Sequence, residues 1–283
     1  MTSARAISID IVKIAGLTVL LFALMSLDYA GAAISTSASQ TPVQLLLVAL
    51  IETSLLSYFV VSSLWTGWKQ WAAVFAVLYG MEYALTAMET IYVGSVLTPS
   101  MAAGLLVNGA ITSAIFSWAL VRSSKNKEIG SGPLGDRLRM GTREWAWKIV
   151  ASAAIYLLLF VLFGVAVYDP IAKSLAPAAF AKEQASVSTA AAFVFPVEFF
   201  RAIFFALLAV PAILALPFGW KKTGAVVALL MSMPVSLSLF LSNSMALGLQ
   251  IGHFFETFGE ITIFGLLLVW ILQVHSRLPA KQA

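Results

Sequence analysis

Residues 149–168 read IVASAAIYLLLFVLFGVAVY, twenty positions without a charged side chain. At about 1.5 Å per residue, such a run spans roughly 30 Å as a helix, the thickness of the hydrocarbon core of a bilayer. A surface helix of a soluble protein needs a polar face, and here only Ser152, Tyr156 and Tyr168 interrupt the apolar residues. The run reads as a transmembrane helix over 148–168.

Seven runs of the same kind flank it, over 14–33, 43–64, 71–92 and 101–121 before it and over 192–217, 223–242 and 250–273 after it. The fold class is therefore all-α integral membrane, with eight transmembrane helices. Whole-chain composition agrees: of 283 residues, 60% are hydrophobic and 11% charged, against roughly a quarter charged in soluble domains. Soluble enzymes and disordered regulators are excluded. The net charge of +4 comes from Lys and Arg in short loops between apolar spans, so it carries topology and implies no nucleic-acid partner. With no cysteine, disulfides, thiolate metal sites and cysteine catalysis are excluded.

Assigning loops alternately to the two sides places Arg5, Lys13, Lys69, Arg122, Lys125, Lys127, Arg137, Arg139, Arg143, Lys148, Lys221, Lys222, Arg277 and Lys281 on one side. Lys173 and Lys182 alone fall on the other. Basic loops stay in the cytoplasm, so a multi-pass protein of the plasma (inner) membrane with both termini cytoplasmic is expected. All eight Trp (Trp65, Trp68, Trp71, Trp118, Trp145, Trp147, Trp220 and Trp270) fall at the cytoplasmic ends, where an indole buries its ring and wets its N–H. Arg5 and Lys13 followed by an apolar stretch and Ala30-Gly31-Ala32-Ala33 also fit a cleaved signal peptide. Against that, Leu20-Leu21-Phe22-Ala23-Leu24 resembles Leu158-Leu159-Phe160-Val161-Leu162 of the fifth span.

That likeness extends to a tandem 4+4 repeat. Gly67-Trp68-Lys69 before the third span recurs as Gly219-Trp220-Lys221 before the seventh. Met101-Ala102-Ala103-Gly104-Leu105 recurs as Met245-Ala246-Leu247-Gly248-Leu249, and Ala114-Ile115-Phe116 as Thr262-Ile263-Phe264. The expected organisation is a first four-helix half over 1–121, a basic cytoplasmic connecting loop over 122–147 and a second half over 148–283. An even number of crossings per half makes this a parallel repeat about an axis along the membrane normal. Outside, 170–191 forms the one long loop, with a short interfacial helix over Ala178–Ala185 and no chemistry of its own.

Seven of the thirteen acids lie within spans: Asp28, Glu52, Glu82, Glu89, Glu198, Glu256 and Glu260. A charged acid facing lipid at a helix centre costs about 2.5–3.5 kcal/mol, so six glutamates would cost about 15–20 kcal/mol unless they face one another, water or a ligand. Tyr79, Glu82, Thr86 and Glu89 share one helical stripe of the third span, as do His253, Glu256 and Glu260 on the eighth. Counting rise per residue puts Asp28, Glu89, Glu198, His253 and Glu256 roughly 5–10 Å below the outer boundary. By the same count Glu52, Glu82, Arg201, Asn108 and Glu260 lie roughly 10–15 Å below it. The expected site is a polar funnel open to the outside and closed near the midplane. It gathers Glu52, Glu82, Glu89, Glu198, Arg201, His253, Glu256 and Glu260, with Asp28 interfacial and Asn108 and Asn243 serving helix packing. Against Arg201 and a protonated His253 the six glutamates leave about −4, which protons or cations must balance.

His253-x-x-Glu256 is also a candidate pair of ligands for a divalent metal, though only one intramembrane histidine is present and His-Glu-x-x-His is absent. The functional expectation is a proton- or cation-coupled secondary transporter or solute-binding permease taking a small cationic solute. Its rivals are a membrane-embedded enzyme acting at the outer leaflet and a non-catalytic assembly or sensor subunit.

Overall fold

The computed structural model of the chain describes residues 11–31, 42–88, 99–124, 138, 140–241 and 245–274. Among these, regular structure is entirely helical. Helix α1 spans Ile11–Gly31, α2 Pro42–Ser62 and α3 Gly67–Leu78, the last continued by a π-helical turn, Tyr79–Ala84. Helix α4 spans Pro99–Ser123, and α5 spans Thr142–Phe163, running through a second π-helical turn, Gly164–Tyr168, into α6, Asp169–Leu175. Helix α7 spans Pro177–Ala215, α8 Trp220–Ser238 and α9 Leu247–Val274. Eight of the described helical segments are long and apolar enough to cross a membrane. They match the eight expected runs, with ends displaced by a few residues.

The largest displacement is at 170–191, which sequence hydropathy assigns to a loop. It is helical almost throughout: α6 extends the fifth span, and α7 is a single 39-residue helix beginning at Pro177. The segment 177–191 holds six Ala beside Lys182, Glu183 and Gln184, all good helix formers, while its polar residues keep the mean hydropathy low, so hydropathy misses what propensity favours. The π-helical turn before α6 also has a local cause. Pro170 has no backbone N–H to offer Ala166, which breaks the regular ladder at that point.

Helix α1 packs on α2 and α4, and α3 packs on α4. In the second half α5 packs on α7 and α9, and α8 on α9. Across the middle, α2 meets α8 and α3 meets α7. The closest pairing, α8 with α9, depends on small residues: a Cβ at Gly265 would lie 2.7 Å from Cα of Ala228. One continuous core includes Leu21, Phe59, Leu78, Phe116, Tyr156, Phe205, Ile213 and Phe264. The periphery remains apolar, with Val19, Leu27, Val107, Leu158, Phe200 and Leu207 exposed. Such a surface is costly in water and without penalty against lipid tails. At the tryptophan-rich end, Lys148 is counted above among loop charges, yet its side chain is fully buried. It pairs with Glu144 at 2.7 Å and lies 3.0 Å from Sδ of Met140.

Candidate functional site

The buried acids lie toward the α6 end of the bundle. In the second half the hub is Tyr156, at the centre of the run that identifies the fold. Its hydroxyl lies 3.1 Å from Oε2 of Glu198 on α7 and 3.2 Å from Oε1 of Glu260 on α9. Arg201, one turn further along α7, donates to Glu198 over 3.3 Å and carries its guanidinium over the Phe205 ring at 5.5 Å. Glu198, Arg201 and Glu260 are all buried. Four residues on from Arg201 and Glu260, Phe205 and Phe264 fall on the same helix faces and pack against the Tyr156 ring at 5.6 and 5.2 Å. This aromatic layer lies between the ion pair and the tryptophan-rich end.

Nearer the α6 end, the His253 ring stands between two carboxylates. Nδ1 lies 2.8 Å from Oε2 of Glu256, and Nε2 lies 3.1 Å from Oε1 of Glu183 on α7. Tyr168 stacks on the imidazole with centroids 4.0 Å apart and donates its hydroxyl to the other oxygen of Glu183. Gly252 makes that stack possible, since a Cβ there would come within 2.9 Å of the Tyr168 ring. Burial works to raise the Glu183 carboxyl, but hydrogen bonds from His253 and Tyr168, with the charge on His253, outweigh it and hold Glu183 below the ordinary carboxylate value of 4.5. Glu260 interacts electrostatically with Glu256, one turn before it, and with Arg201 and Glu198.

The first half is built differently. Tyr83, within the π-helical turn of α3, donates to Oδ2 of Asp28 at 2.8 Å, and Thr112 on α4 donates to Oδ1 at 3.0 Å. Asp28 is thus a buried carboxylate that accepts two hydrogen bonds. Beside it Glu82 and Glu52 face each other, carboxyl to carboxyl. Both are buried, and neither oxygen of Glu52 accepts a hydrogen bond from another residue's donor. An acid pair of this kind holds together through a proton or cation between its oxygens. The Tyr83 ring crosses α4 at Gly109, where any Cβ would overlap it.

Of the eight expected site residues, Glu198 and Glu260 meet at Tyr156 with Arg201 bonded to Glu198, His253 meets Glu256 and also Glu183, and Glu52 meets Glu82. Glu89 and Asn243 lie outside the described residues. Sequence reasoning missed Tyr156, Tyr168, Glu183, Tyr83 and Thr112. For Tyr156 a signal existed: it is the one hydroxyl in the central stretch 153–167 of its span. For the candidate metal pair His253 and Glu256, both ring nitrogens are engaged by carboxylates. Among the described residues no group of three His, Cys, Asp or Glu side chains is arranged to hold a metal ion.

Fold and site together define a class: an all-helical chain of eight membrane-length helices with ionisable side chains bonded to one another in its interior. Beyond that class, no protein family, curated protein or solved structure matches the chain.

Proposed function

We propose that this is a proton- or cation-coupled secondary transporter or solute-binding permease of the plasma membrane, with both termini cytoplasmic and the polar groups of the α6 end facing outward. The observation that carries the reading is the Tyr156–Glu198–Glu260–Arg201 network, an interhelical cluster of ionisable groups buried at membrane depth. Such groups are costly to keep there, and function is their default explanation. The Phe205–Phe264 layer beneath them is what an outward-open, inward-closed state requires, and an open channel would lack it. Two carboxylates against one guanidinium leave a negative charge for a proton or a small cationic solute to balance.

In this reading the two halves are a parallel repeat. Helix pairs α1–α2, α1–α4 and α3–α4 have α5–α7, α5–α9 and α8–α9 as counterparts, and the contacts between halves, α2 with α8 and α7 with α3, exchange under a two-fold operation. Glu52 and Phe59 correspond at one offset to Glu198 and Phe205, all four buried. Transporters of this architecture bind substrate near the repeat interface.

The test is uptake into proteoliposomes under an imposed pH gradient, with a panel of small amines and alkali cations. Uptake of at least one probe that collapses with the gradient and fails in Glu198→Gln is expected. A panel with no gradient-dependent uptake counts against transport.

A further inference from the structure

We propose that Glu183, His253, Glu256, Glu260, Tyr156 and Glu198 form a proton relay between the outer surface and the buried Glu198–Arg201 pair. This rests on the proton-coupled reading above and names its coupling ion and its route.

The geometry is a chain of donors and acceptors that becomes steadily drier. Side-chain exposure is 25% at Glu183 and 24% at His253, falling to 9% at Glu256 and to zero at Glu198. Imidazole suits the entry position because it accepts a proton at one nitrogen while releasing one from the other. A proton on Glu183 passes to Nε2 of His253 as the Nδ1 proton passes to Oε2 of Glu256, so the ring keeps its proton count. The ring is left protonated at Nε2, and exchange with water, to which its side chain is 24% exposed, returns it to the Nδ1–H tautomer. Glu256 and Glu260 are one helical turn apart, neighbours on the same face of α9.

Tyr156 makes the inner step specific. A phenol owns one proton, yet its oxygen is within hydrogen-bond distance of both Glu198 and Glu260. Both contacts become hydrogen bonds only when one carboxyl carries a proton and donates it to the phenol oxygen while the phenol donates to the other. That proton moves from Glu260 to Glu198 in one concerted exchange, leaving Tyr156 neutral before and after. With Arg201 beside them, two carboxyls and one proton make the inner cluster electrically neutral.

The other ionisable groups near the entry of the chain are engaged or exposed. Asp169 is paired with Lys173 at 3.0 Å, Tyr168 donates to Glu183, and Lys182 is exposed. Helix α8, packed most closely on α9, carries only Lys221 and Lys222, at the opposite end.

The experiment uses full-length protein in lipid nanodiscs, with the infrared carbonyl band of protonated buried carboxyls followed after a rapid drop in pH. In the parent protein the band rises quickly, and it is diminished in Glu260→Gln. In His253→Gln it should rise to a similar final amplitude at least about tenfold more slowly, and added imidazole should restore the rate. Glu183→Gln, at the exposed end, should slow it too and serves if His253→Gln does not fold. An unchanged rate in the variants, or slowing that imidazole leaves uncorrected in His253→Gln, overturns the relay. Loss of solute uptake with these kinetics intact would retire the transport reading and keep the relay. The converse would do the opposite.

Discussion

The two halves bury carboxylates at similar places and neutralise them by different means. On the proposed repeat Glu52 of α2 and Glu198 of α7 are counterparts. Glu198 sits against Arg201 and the Tyr156 hydroxyl, whereas among the described residues Glu52 faces another acid, Glu82. Removing one member of a buried ion pair strands the other, while neutralising one of two facing acids relieves them. The first half should thus tolerate neutralisation of one acid at little structural cost. The second half holds one guanidinium among its carboxyls, so losing that cation disturbs groups on three helices.

The largest effect should follow from breaking the second half. Arg201→Ala leaves Glu198 and Glu260 without their cation and should cost about 3–5 kcal/mol, read as a fall in thermal or denaturant stability in detergent. Arg201→Lys should recover much of it, and an Arg201→Ala protein of unchanged stability would dissolve the contrast between halves. Tyr156→Phe keeps the ring between Phe205 and Phe264 but removes the bridging hydroxyl, for an expected loss of about 1–3 kcal/mol. Gly109→Ala probes the first half by packing: a methyl group under the Tyr83 ring should cost about 1–3 kcal/mol and pull the hydroxyl from Asp28. Glu52→Gln should change stability by no more than about 1 kcal/mol and in the stabilising direction if either, while Glu198→Gln destabilises. Equal losses in those two variants would mean that both halves are neutralised alike.

The smallest effect concerns pH. Because Glu183 titrates below its unfolded value, its tie between α7 and His253 is complete above the ordinary carboxylate value of 4.5 and is lost as pH falls through the lower folded value. Hydrogen exchange at 177–185 should therefore accelerate on acidification in the parent and be fast at every pH in Glu183→Gln. Acid-independent exchange in the parent would mean that Glu183 does not hold α7 to His253.

Eight spans were legible because lipid demands long uncharged runs, and no other solvent permits twenty such positions in succession at 149–168. Glu198, Arg201, His253, Glu256 and Glu260 were legible for the complementary reason, since charge within such runs must find partners. Who pairs with whom was not legible. Glu183 sits in a polar helical stretch that hydropathy discards, and its partner His253 is seventy residues away. The burial of Asp28 depends on Tyr83 from a π-helical turn, an irregularity that helical periodicity assumes away. Tyr156 looks like one more large side chain in an apolar run until α7 and α9 bring carboxylates to its hydroxyl.

Sidedness tests the central claim most directly. In proteoliposomes of known orientation, the internal pH is clamped and the infrared signal of the buried carboxyls is followed while only the α6 side is acidified, then the reverse. The account predicts that acid on the α6 side protonates the Glu198–Glu260 cluster promptly and that acid on the tryptophan-rich side does not. Prompt protonation from the tryptophan-rich side alone would contradict it.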